Sequence, residues 1–108
     1  MKYKTGNVYC NGMLAGMIQY NNGTYVFIYD DHYLSNPDTP SISVSLSKSQ
    51  KEYRSPVLFP FFFGLLAEGT EKALQCRTLK IDEQDHFARL LKTAGEETIG
   101  AVTVREVE

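Results

Sequence analysis

The chain has no tryptophan, only two cysteines and no apolar run near the ~18 residues that a membrane-spanning helix requires. Cys10 and Cys76 stand far apart, with no CxxC and no histidines placed to complete a zinc site, so they read as two semi-buried reduced thiols. The opening residues, Met1 to Gly6, run into polar residues and turns and lack the apolar core of a signal peptide, so a cytoplasmic protein is expected. Positive charge is not in excess either. Eleven Lys and Arg against thirteen Asp and Glu give a net charge of −2 and a pI near 5.7, which offers no general attraction to nucleic acid. Neither GxGxxG nor GxxxxGK[ST] occurs, so no loop is shaped to cradle a nucleotide.

What is present is an ordinary globular balance, 43% hydrophobic and 22% charged over 108 residues, which fits one domain spanning 1–108. Seven Tyr and six Phe supply much of the core. The first half reads as strands. Val8-Tyr9-Cys10 meets Asn11-Gly12, a two-residue hairpin signal because both positions tolerate positive φ. Met13 to Tyr20 returns, with Gly16 as a bulge or close-contact point, and Asn21-Asn22-Gly23 turns into the strand Thr24 to Tyr29. Asp30 to Pro40 is a loop with room for one helical turn. Ser41 to Ser47 alternates strictly, which predicts a half-buried strand with Ile42, Val44 and Leu46 inward, and Lys48 to Ser55 reads as a polar connector.

The second half changes period. Phe59, Phe62, Phe63 and Leu66 form a helical stripe that starts with Pro60 in the first turn and ends at Glu68-Gly69. Thr70 is the expected cap of a helix through Arg77, with Ala73, Leu74 and Cys76 inward. Asp82 is the expected cap of a third helix, with Glu83 and Asp85 in its first turn, buried positions Phe87, Leu90, Leu91 and Ala94, and Gly95 at its end. Ile99 to Val107 closes as a strand. Without βαβ alternation the expected class is α+β, a mainly antiparallel sheet of about five strands with two to three helices on one side.

The residues that could carry chemistry do not assemble. Asp30-Asp31-His32 is contiguous in a loop and lacks the i, i+4 spacing of helical metal ligands, so it reads as a structural turn, with a catalytic role for Asp31 and His32 as the competing idea. His86 is read as solvent-facing or capping. The serines of Ser41 to Ser49 have no base tied to them. No cofactor is expected. The unusual stretch is Val57-Leu58-Phe59-Pro60-Phe61-Phe62-Phe63-Gly64-Leu65-Leu66, which holds more apolar surface than one helical face can bury. It reads as a helix buried on nearly all sides, a patch that docks a partner, or both.

Several segments together resemble a known family. Val8-Tyr9-Cys10-Asn11-Gly12-Met13-Leu14-Ala15-Gly16 is similar to the opening of HipA-family proteins, and Tyr25 to Asp30 with Tyr33-Leu34 and Pro37 resembles the stretch that follows. Ser41 to Leu46 and Phe61-Phe62-Phe63-Gly64-Leu65-Leu66-Ala67-Glu68-Gly69 resemble the next motifs, the latter being the most specific. Phe87 to Leu91, with Gly95 through Val102, is similar to the last. In that family the segment is the N-terminal subdomain ahead of a Ser/Thr-kinase core, so the resemblance implies no catalytic residue here.

Stand-alone copies are similar to the HipS component of HipBST toxin–antitoxin systems. This implies a partner that is a HipT- or HipA-like kinase, with a HipB-like repressor in the same complex, and no direct contact with nucleic acid or membrane. It points to Phe61, Glu68, Gly69, Thr70 and Glu71 as contact surface. Two positions depart from the family pattern: Ala67 replaces the usual proline, and Thr70 stands where an aromatic is common. The alternative is a split-gene subunit that completes such a kinase instead of restraining it.

Overall fold

Two Asn-Gly pairs set the topology of the sheet. In the computed structural model, which describes residues 4–94 and 101–107, Asn11 and Gly12 have φ of 53° and 82°, and Asn22 and Gly23 have 54° and 79°. Positive φ at both central positions is the turn whose twist matches antiparallel strands. They join β1 (Lys4–Cys10), β2 (Met13–Asn21) and β3 (Thr24–Tyr29) into a meander, with Cys10 opposite Met13 and Asn21 opposite Thr24. The pairing slips between Val8 and Tyr9, which face Gly16 and Leu14, so Ala15 is the extra residue of a bulge. Gly16 is the expected close-contact point. A Cβ there would lie 2.4 Å from the Ile28 carbonyl oxygen and 3.0 Å from the Phe27 ring.

Five antiparallel strands run in the order β4-β3-β2-β1-β5, with helices, the expected α+β class. The fourth strand is not the one the alternation predicts. β4 is Glu52–Ser55, inside the segment read as a connector, and it pairs with β3 from Glu52 opposite Ile28 to Ser55 opposite Tyr25. Ser41 to Ser47 instead forms turns around a single bridge between Ser43 and Leu46, leaving Val44 98% exposed while Ile42 and Leu46 are buried. The serines explain the difference. Ser43 Oγ accepts from Ser45 N–H at 3.3 Å, and Ser41 Oγ from Lys48 N–H at 2.9 Å, local bonds that compete with a strand ladder.

The buried Tyr29 hydroxyl then pins the segment, accepting from Ile42 N–H at 3.1 Å and donating to the Leu46 carbonyl. Tyr29 stacks on Tyr33 of α1 (Asp31–Ser35), the single helical turn expected in the loop. Beside them the Lys48 ammonium donates to the carbonyls of Asn36 and Thr39, closing the loop with a charge-assisted cluster.

One face of the sheet carries the core. Val8, Ile18, Phe27 and Val104 are fully buried there, and Phe62 and Leu90 are the fully buried side chains from the helices. Each such burial contributes about 1.5–3 kcal/mol. The aromatic run forms a helix that stops before the expected end at Glu68-Gly69. α2 is one turn, Pro60–Phe63, with Pro60 in its first turn and Gly64 at its C-cap, so the 3.6-residue stripe stops early. Phe59, Phe62 and Leu66 are buried as expected, but Phe63 is 45% exposed, and Leu58 is buried in addition.

Glu68 and Gly69 begin the next helix and do not end the previous one. α3 (Gly69–Leu79) has Glu68, not Thr70, at its N-cap; Ala73 and Leu74 are exposed, and Cys76 is its one buried residue. α4 (His86–Thr93) is capped by Asp85, whose carboxylate accepts from Ala88 N–H at 3.1 Å, while Asp82 bonds Gln84 N–H in the preceding turn. Phe87, Leu90, Leu91 and Ala94 are buried as the stripe requires. Ala94 accepts from Val104 N–H at 2.8 Å, which ties α4 to β5 (Val102–Glu106). Gly95, Ile99 and Gly100 lie outside the described residues. Cys10 and Cys76 are both buried and form no disulfide.

Candidate functional site

The acidic turn is architecture. Asp30 Oδ2 accepts from His32 N–H at 3.1 Å and Tyr33 N–H at 3.2 Å, which caps α1. Asp31 is exposed and paired with Lys51, whose hydrogen bond and charge hold the carboxyl below its usual range. With one carboxylate capping and the other neutralised, no base is aimed at a nucleophile. Among the described residues no group of three His, Cys, Asp or Glu could hold a metal ion.

A different arrangement occurs where α2 turns into α3. Glu68 has an extended backbone (φ −128°, ψ 164°) and Gly69 takes φ +63°, a left-handed conformation that favours glycine. The chain thereby reverses over α4 and leaves a cavity of about 300 Å³ lined by Phe63, Leu66, Glu68, Gly69, Lys72 and Arg89. Arg89 is the one buried charged side chain among the described residues, 3% exposed. Its Nη2 donates to the Ala67 carbonyl at 2.6 Å, fixing the α2–α3 junction against α4.

Nη1 of Arg89 lies 3.1 Å from His86 Nδ1. A guanidinium can only donate, so Nδ1 accepts, and the neutral imidazole carries its proton on Nε2. Burial lowers the His86 pKa, and the charges of Arg89 and Lys72 lower it further against the opposing pull of Asp85. The Phe63 ring stands edge-on to His86 with centroids 4.9 Å apart.

Of the contact residues expected from the sequence, Glu68, Gly69, Thr70 and Glu71 are all exposed around this junction, and Glu68 and Gly69 line the cavity. Phe61 is half-buried, packed against the core with its ring edge-on to Phe62 at 5.2 Å. The exposed ring at the cavity is Phe63. Lys72 and Arg89 were not singled out in the sequence. Arg89 lies off the i, i+3, i+4, i+7 stripe of Phe87, Leu90, Leu91 and Ala94, so the spacing gave no sign of its burial. A second cavity of about 290 Å³ opens on the uncovered side of the sheet, where Leu14, Met17 and Ile28 meet the Asp31–Lys51 pair.

Comparison with known proteins adds a family. The model of the HipA N-terminal domain matches residues 6–105. A Haemophilus influenzae protein is 32% identical over 95% of this chain and 92% of its own length. A Sinorhizobium fredii protein named "Putative kinase Y4mE" is 29% identical over 94% of this chain but only 24% of its own length, so the chain spans about a quarter of that relative. Among solved structures, the N-terminal domain of HipA toxin superposes with a TM-score of 0.69 at 28% identity, covering 97% of this chain and 93% of that one.

Proposed function

The chain belongs to the HipA N-terminal domain family, and from that premise we propose that it is a non-catalytic binding module of a toxin–antitoxin system that binds and restrains a separate HipT- or HipA-like Ser/Thr kinase. The family match is to the N-terminal domain of HipA and not to its kinase domain. The observation that carries the reading is the α2–α3 junction. There a half-exposed Phe63 borders the exposed residues Glu68, Gly69, Thr70 and Glu71 at the start of α3, with exposed Leu74 and Leu79 further along that helix. Apolar side chains rimmed by polar ones, on a helix that its own core does not need, suit a protein interface. A HipB-like repressor joins the same complex in this reading, and nucleic acid and membrane are not direct partners. No helix among the described residues is long and apolar enough to cross a membrane.

The test pairs the purified chain with the candidate kinase. Co-purification and a fall in phosphoryl transfer to a protein substrate are expected, both weakened by Phe63→Ser. A rise in kinase activity would replace restraint with the role of a completing subunit, and failure to co-purify would remove both.

A further inference from the structure

Arg89 fixes the α2–α3 junction and is itself steadied by one imidazole ring. Its Nη2 donates to the Ala67 carbonyl at 2.6 Å, and its Nη1 lies 3.1 Å from His86 Nδ1. A guanidinium has only N–H donors, so the second contact exists only while Nδ1 keeps a bare lone pair. Neutral imidazole has one such nitrogen and imidazolium has none. A proton gained by His86 therefore goes to Nδ1, the atom that faces Arg89. It leaves two cations and two sets of donors face to face at a guanidinium only 3% exposed. The ring is also wedged from α2, with Phe63 edge-on at 4.9 Å between centroids.

We propose that His86 is a proton-operated latch on the α2–α3 junction: neutral, it steadies Arg89 against Ala67, and protonated, it repels the guanidinium and frees the start of α3. The surroundings favour the shut state. Arg89 on its own helix and Lys72 of α3 oppose a positive charge on the ring, and Asp85 at the α4 N-cap favours one. From the sheet, Tyr20 and Tyr25 share a cavity of about 250 Å³ with His86 and Asp85, and a phenol is uncharged in acid and at neutrality. Glu68 lines the other cavity with Lys72 and Arg89 and is exposed. Burial and the two cations hold the His86 midpoint below the usual histidine value, so the latch is shut at neutral pH and opens on acidification. The motion falls to α3 because little else holds its start. Its N-cap Glu68 makes no side-chain bond and Cys76 is its one buried residue, whereas α4 is anchored by its own buried face.

A loss of kinase docking in acid follows from the latch and rests on the docking reading above. The latch itself is tested on the chain alone, so its failure and the failure of docking are distinguishable. The experiment is an NMR titration from neutrality downward that follows the His86 ring, the amides of Ala67 to Glu71, and hydrogen exchange along α3 and α4 corrected for the intrinsic effect of pH. The junction amides are expected to shift with the midpoint of the ring. Exchange at Ala73 to Cys76 should rise about tenfold below it, the worth of one lost bond to a charged group, while Leu90 and Leu91 keep their protection. His86→Gln supplies an acceptor that does not titrate and should abolish the step, with the junction shut throughout. Lys72→Gln removes a facing cation and should move the midpoint upward with the step intact. Junction shifts whose midpoint differs from that of the ring, a step that survives in His86→Gln, or equal loss of protection in α3 and α4 would each overturn the proposal.

Discussion

Helix α4 has eight residues and buries four of them, whereas α3 has eleven and buries one. The difference lies in spacing. Besides Arg89, the buried residues of α4 are Phe87, Leu90 and Leu91, which with Ala94 at the C-cap recur at i, i+3, i+4 and i+7, so α4 drives one face into the sheet. The apolar residues of α3, Ala73, Leu74, Cys76 and Leu79, point around the cylinder, and only Cys76 reaches the interior. A helix of this length is marginal in isolation. It is held at its carboxyl end, by Cys76, by Lys80 in a left-handed C-cap and by the bond from Ile81 N–H to the Cys76 carbonyl at 2.9 Å. The longer helix is therefore spare surface and the shorter one is framework, and Arg89 joins them by bonding Ala67 from the framework side.

The contrast can be broken most directly at Leu90. Leu90→Ala removes a fully buried side chain and should cost ~2–5 kcal/mol in denaturant unfolding; a cost near zero would mean α4 is no more integral than α3. Gly69→Ala comes next. The space is open, but φ is +63°, so the expected loss is ~1–2 kcal/mol from backbone strain alone, and a neutral result would mean the junction relaxes freely.

A smaller effect concerns pH. The folded state lowers the His86 pKa, so the unfolded chain binds more protons between that lowered midpoint and the ordinary value near ~6.5. Stability should rise with pH across this window and fall as the solution is acidified through it, an effect that His86→Gln removes from the pH profile of thermal unfolding. The smallest change belongs to α3 itself. Leu74→Ala, at a 55% exposed position, should stay within ~0.5 kcal/mol of the parent, and a larger loss would show α3 to be part of the core.

The legible parts of the sequence were those with a local cause. Asn11-Gly12 and Asn22-Gly23 demand positive φ and so announce their hairpins, and the stripe of α4 is visible because a single sheet face satisfies it. Ser41 to Ser47 misled because strict alternation describes inward and outward positions equally well in two turns pinned by a distant tyrosine hydroxyl. β4 was hidden by its composition: Glu52 and Arg54 mark an edge, where charge is tolerated and discourages further pairing. At the candidate site the resemblance pointed to Glu68 to Glu71, which the fold places exposed at the start of α3. The exposure of Phe63 was not legible, because it depends on α2 stopping at Gly64. Nor was the clamp of Arg89 on Ala67, which ties α4 to the connector between α2 and α3 through a backbone carbonyl that sequence does not display.

The strand order has a consequence for biosynthesis. β1 meets β2 across a two-residue turn, but its other edge is completed by β5, with Gly6 opposite Glu106 and Cys10 opposite Val102. As the polypeptide leaves the ribosome, the hairpins of the meander can close while β1 still presents an unpaired edge. That edge waits until β5 has emerged. Closing so long a loop is the slow step expected for such a topology, and the waiting edge is a template for misassembly with a neighbouring nascent chain. The emergence of β5 therefore sets when this edge becomes safe from copies of itself.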